Sequence, residues 1–170
     1  MNPLNAPIRY RQVLAWPKPW RIALCVFVLL MVAVLGGIGG SGQQAGVSQL
    51  RGYVSNLAHQ PLYAGVGLSL LLALGKPARW RHWPMLSLFV LAVGLADEWH
   101  QSTVPFRDAS YWDLLSDLLG ITIGLILAIA SDRDPPLRTR LSLVFFLVSI
   151  GLAWNCIPSF APPWELPFAK

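Results

Sequence analysis

Five stretches of the chain are almost free of charge and rich in Leu, Val, Ile, Phe and Ala, and short polar or basic connections separate them. A membrane-spanning helix needs about 20 mainly apolar residues, fewer where interfacial anchors help. Residues 22–39 meet this directly, flanked by Lys18, Trp20 and Arg21 before and by the small residues 36–42 after. A basic start, an apolar core and small residues at a possible cleavage point also describe a secretory signal peptide. A retained span is the expectation, because the later stretches are themselves membrane-like. The second helix is expected over residues 59–74, with Pro61 in its first turn and Lys76, Pro77, Arg79 and Arg81 ending it. The third covers residues 83–96 and continues as a helix through the polar turn Asp97-Glu98-Trp99-His100-Gln101. Ser110 is a suitable N-cap for the fourth, over 111–130. The fifth covers 141–156 and is closed by Pro158, Pro162 and Pro163.

These elements predict an all-α fold, a single transmembrane helical bundle of about five helices occupying the whole chain. Composition agrees: 55% of the 170 residues are hydrophobic and 12% charged, which is wrong for a soluble surface. The formal charge of +5 does not point to nucleic acid, since the basic residues sit in short clusters at helix ends. Arg9, Arg11, Lys18 and Arg21 precede the first helix, Lys76, Arg79 and Arg81 join the second to the third, and Arg133, Arg138 and Arg140 join the fourth to the fifth. With five spans all three clusters fall on one side, leaving Arg51, Arg107 and Lys170 on the other. The N-terminus is therefore expected inside and the C-terminus outside a plasma or inner membrane. Cys25 and Cys156 then lie near opposite faces, which disfavours a disulfide between them.

Ionisable groups at membrane depth cost several kcal/mol unless paired or hydrated. In this topology His59, the pair Asp97 and Glu98, and the pair Asp113 and Asp117 come to one level at the outer ends of three chain-distant helices. Gln101 follows Asp97 by four residues and Glu98 by three, so it sits beside both acids. Asp113, Asp117, Gly120 and Gly124 form one stripe, and the two glycines let another helix approach closely, which turns the stripe into the bundle. Arg107 is the one nearby cation, able to clamp an anionic group or pair with the carboxylates. His100 falls on the opposite face. No nucleophile elbow, phosphate loop, haem attachment motif or zinc-type cysteine pairing is present.

Asp97-Glu98-Trp99-His100-Gln101, then Val104-Pro105-Phe106-Arg107, then Ser110 and Asp113-Leu-Leu-Ser-Asp117-Leu-Leu-Gly120 resemble the signature of the VanZ-like family, named for a teicoplanin-resistance protein. His59 followed by Tyr63 resembles that family's His-x-x-x-Tyr. The resemblance runs from residue 59 to 124, and departs where Asp117 replaces a common Asn and Phe106 a common Gly. It implies a polytopic envelope protein linked to glycopeptide phenotypes, without an established reaction. Three functions fit the residues. A headgroup pocket for a membrane lipid or lipid-linked glycan would use Gln101, Arg107, Asp113, Asp117 and Tyr63. An intramembrane hydrolase or transferase would use Asp97 or Glu98 as acid or base and His59 as proton shuttle, with a divalent cation held by the acids and His59 as a possible cofactor. A structural network locking the helices together is the third. Four acids beside one cation leave surplus negative charge, which favours a working site over the last.

Overall fold

The computed structural model describes residues 10–38, 48–103, 109–133 and 136–160. Among them there are six helices and no strand: α1 (Tyr10–Leu14), α2 (Lys18–Ile38), α3 (Ser48–Ala73), α4 (Trp83–Ser102), α5 (Tyr111–Asp132) and α6 (Leu137–Phe160), with a 3-10 turn at Trp80–His82 leading into α4. The expected five helices are all present as α2 to α6, and α1 is an additional single turn and a half.

Four boundaries differ by a turn or more from the sequence-based expectation; α2 begins at Lys18 rather than at residue 22 and α6 at Leu137 rather than at 141. The helix carrying His59 begins at Ser48, so residues 48–58 are helix rather than connection, and Pro61 lies inside α3 instead of in its first turn. Pro61 has no N–H to give the Leu57 carbonyl, but α3 packs along α2, α4, α5 and α6, and that support outweighs one missing bond. Likewise α6 continues through Pro158 to Phe160 instead of ending at Cys156.

Helix ends follow from local chemistry. Gly75, with φ of 65°, closes α3 in a left-handed turn: Lys76 N–H reaches the Leu71 carbonyl (2.8 Å) and Gly75 N–H the Leu72 carbonyl (3.0 Å). The Arg21 guanidinium caps the same end by donating to the Leu72 carbonyl at 2.7 Å. The Tyr10 hydroxyl donates to the Lys76 carbonyl at 2.9 Å, and burial, with the Asp132 charge nearby, holds this phenol above its usual pKa. Arg11 pairs with Asp132 at 3.3 Å. These contacts bring the N-terminal segment, the end of α3 and the end of α5 together at one end of the bundle.

The long contact between α3 and α5 is the spine of the molecule. A Cβ on Gly120 would lie 2.9 Å from the Gln60 Cα, and one on Gly124 2.8 Å from the Ala64 Cβ. The glycine stripe thus seats α3 directly on α5. The core beside it is formed by Tyr63, Val66, Leu71, Leu86, Val90, Ile121 and Leu125.

Beside the apolar core, several large apolar side chains are exposed and several acids are buried. Leu88 and Phe145 are 72% and 76% exposed, whereas Glu98 and Asp117 are 1% and 0% exposed. Among the described residues two helices are long and apolar enough to cross a membrane, α2 through Lys18–Leu35 and α5 over Tyr111–Asp132; Leu57–Ala73 and Leu141–Trp154 are shorter apolar stretches. Cys25 in α2 is buried, Cys156 in α6 is exposed, and both are free.

Candidate functional site

Three helices deliver the cluster. On α3, a four-residue step puts His59 above Tyr63 on one face, and their rings stack with centroids 5.8 Å apart and planes 9° from parallel. On α4, the apolar run ends in Asp97, Glu98 and Gln101, all buried, while Trp99 and His100 between them are exposed. On α5, Asp113 and Asp117 occupy one face with Gly120 and Gly124, and all four are buried. Ser110 is the N-cap of α5: its hydroxyl accepts from Trp112 N–H at 3.1 Å.

Hydrogen bonds knit the three helices at this level. His59 Nδ1 lies 2.9 Å from Asp117 Oδ1, joining α3 to α5. With Asp117 ionised the ring nitrogen donates, and Nε2 is left for another partner. The Tyr63 hydroxyl makes a long contact of 3.4 Å to Asp97 Oδ2, and the Gln101 amide donates to the same oxygen at 2.8 Å. Glu98 Oε2 accepts the Ser110 backbone N–H at 2.7 Å, which fixes the carboxylate against the start of α5. The N-cap residue therefore serves two helices, one through its hydroxyl and one through its amide.

What is left over is more informative than what is paired. Asp97 Oδ1, Glu98 Oε1 and Asp117 Oδ2 are buried with no hydrogen-bond partner among the described residues. Each such oxygen costs roughly 1–3 kcal/mol or more relative to a satisfied one. A donor atom from each of His59, Glu98 and Asp113 lies within 4.8 Å of the other two, so this trio has the composition and compactness to hold a metal ion.

Of the eight residues singled out from the sequence, seven converge: His59, Tyr63, Asp97, Glu98, Gln101, Asp113 and Asp117. Arg107 lies outside the described residues. Three partners escaped the sequence reading. Gln60 turns to the other side of α3 and donates to the Gly151 carbonyl at 3.3 Å. Ser116, fully buried between Asp113 and Asp117, accepts the Trp154 indole N–H at 3.0 Å. Trp154 ties α6 to α5 and sits edge-on to Trp112. Ser116 does carry a signal, its position between the two acids. Gln60 carries none beyond following His59.

On the far side of the α3 and α5 contact lies an apolar crevice of about 770 Å³, bordered by Gln60, Ala64, Leu68, Gly124, Leu147 and Leu152 among others. None of the seven cluster residues lines it. The large cavity and the polar chemistry are thus separate features, and the chemistry resides in the cluster.

The chain matches no family model, no curated protein and no solved structure. The functional assignment therefore stands on the geometry of the cluster and on the motif residues that compose it.

Proposed function

We propose that this chain is a multi-pass membrane protein of the VanZ-like kind whose buried polar cluster binds the headgroup of a lipid or lipid-linked glycan at the outer face of the cell membrane. Membrane embedding is supported by the exposed large apolar side chains, Leu88 and Phe145 among them, and by the two helices apolar enough to span. The inside placement of the N-terminus is supported by the contacts of Tyr10, Arg11 and Arg21 with Lys76, Asp132 and Leu72. Those contacts gather the three basic clusters at one end of the bundle. The acids and His59 lie toward the opposite end.

One observation carries the binding role: three buried carboxylates each keep an oxygen without a partner among the described residues. A network built only to hold helices together would satisfy its own acceptors, because unmet ones destabilise it. Hydroxyls or an amine of a headgroup supply the missing donors. Arg107, in the connection between α4 and α5, contacts the anionic part.

An intramembrane hydrolase or transferase is the alternative, favoured by the His59 and Asp117 pair. A carboxylate that holds Nδ1 orients the imidazole and leaves Nε2 free to move a proton, with Asp97 or Glu98 as the complementary acid or base.

The experiment is a lipid profile of the protein purified in mild detergent, compared with the bulk membrane. Binding predicts one lipid class enriched in the wild type and lost in Glu98→Gln and Arg107→Gln variants that keep the wild-type melting temperature. A lipid profile identical to the bulk membrane overturns it. Turnover of the enriched lipid by the wild type would move the assignment to the enzyme.

A further inference from the structure

We propose that His59, Glu98 and Asp113 form a divalent-cation site, one ligand from each of α3, α4 and α5, of the borderline type that takes Zn2+ or Mn2+. The inference rests on the cluster being a working site, and adds what neutralises it. One imidazole nitrogen and two carboxylate oxygens are a donor set suited to first-row transition ions rather than to Mg2+ or Ca2+, which prefer oxygen alone.

The donors of these three residues already lie within 4.8 Å of one another across three helices. Bonds of about 2.0–2.2 Å require neighbouring ligands closer than that, so the three donors must draw together around a bound ion. A compact acidic group is not in itself a site, but here a second, independent feature points to a ligand. Glu98 is 1% exposed, its Oε2 is fixed by the Ser110 N–H, and its Oε1 has no partner among the described residues. A buried carboxylate held rigidly by one oxygen with the other unmatched is the arrangement a cation completes.

The surroundings have the features of an outer shell. Metal-bound histidines nearly always give their other ring N–H to a carboxylate or carbonyl, which sets tautomer and ring angle. Asp117 Oδ1, 2.9 Å from Nδ1, has the position of such a carboxylate, which would assign the metal to Nε2. Stacking on Tyr63 fixes the ring plane. Asp97 is engaged by Gln101 and Tyr63 and stands outside the trio. A bound cation would also give an anionic headgroup a positive centre inside an otherwise acidic cluster.

The test uses the full chain in detergent, stripped with EDTA and then titrated with Zn2+, Mn2+ or Mg2+. The readouts are calorimetry, metal content and melting temperature. The expected result is one Zn2+ or Mn2+ per chain with a rise in melting temperature, and weak or no response to Mg2+. Glu98→Gln and Asp113→Asn should each abolish saturable binding. Asp117→Asn should weaken it by about 10–100-fold, as loss of an outer-shell partner does. Exposed Trp99→Phe should leave it unchanged. If Glu98→Gln fails to fold, His59→Gln serves in its place. Absence of saturable binding, or binding unaltered in the Glu98 and Asp113 variants, overturns the site. The lipid profile of the stripped protein separates the two proposals: a retained lipid without metal binding rejects the cation and keeps the headgroup function, and metal binding without a retained lipid does the reverse.

Discussion

Replacing His59 with Phe tests the pair at the centre of the cluster while keeping most of its packing. Phe preserves ring size and the stack on Tyr63, so the change removes chiefly the Nδ1 contact to Asp117. Asp117 is fully buried, and its Oδ2 already lacks a partner among the described residues. Without His59, Oδ1 loses the Nδ1 contact too, and a buried carboxylate stands unmatched. Breaking a buried ion pair from one side costs about 3–5 kcal/mol, which in a chain of this length lowers the melting temperature by the order of 10 °C. Asp117→Asn alone keeps an acceptor for Nδ1–H and costs less, about 1 kcal/mol. Combined with His59→Phe, it replaces an unmatched charge with an unmatched amide, so the double variant should be more stable than His59→Phe alone. The pair should therefore be non-additive by about 1–3 kcal/mol. The assay is thermal unfolding of the four proteins in one detergent, followed by circular dichroism. A His59→Phe loss below about 1 kcal/mol, or additive effects, would show that Asp117 does not depend on His59 and refute this account of the cluster.

Three further outcomes follow from particular contacts. Gly120→Val places a Cβ against the Gln60 backbone, which cannot rotate away, so α3 and α5 must part. A loss of about 1–3 kcal/mol in thermal unfolding is expected, and an unchanged melting temperature would argue against the close approach. Ser110→Ala removes the cap oxygen that accepts from Trp112 N–H but keeps the amide bonded to Glu98, so about 1 kcal/mol should be lost without loss of lipid or metal binding. For topology, single cysteines at the exposed positions Thr103 and Thr139 should be labelled in intact cells at the first and not the second by a membrane-impermeant reagent. The opposite pattern would invert the orientation.

The helices themselves were legible because uncharged apolar runs of this length have few alternatives. The start of α5 was legible because Ser110 stands directly before the apolar run and does cap it. The start of α3 was not. Residues 48–58 include Ser, Gln, Arg, Gly and Asn, so apolarity marks only the inner part of that helix. Pro61 then resembles a first-turn proline, when tertiary packing in fact carries it mid-helix. The end of α6 was misplaced because Pro158 reads as a stop signal, whereas the helix runs on to Phe160.

The cluster was legible because carboxylates, histidine and glutamine are rare in apolar runs and helical spacing orders them. Asp113, Asp117, Gly120 and Gly124 were expected to face inward, and they do. Which helix the glycines meet was not readable, because Gln60 and Ala64 carry no mark of a helix contact. The tie of Ser116 to Trp154 was equally hidden, since a lone serine or tryptophan fits many roles.

The most direct test of the binding role is native mass spectrometry of the wild type and Glu98→Gln, released from the same detergent at matched melting temperature. A working headgroup site predicts that the wild type retains one defined lipid in most molecules and that Glu98→Gln, with its buried anionic oxygen neutralised, loses it at least tenfold. Equal retention of the same lipid by both proteins, or none by either, would contradict the account.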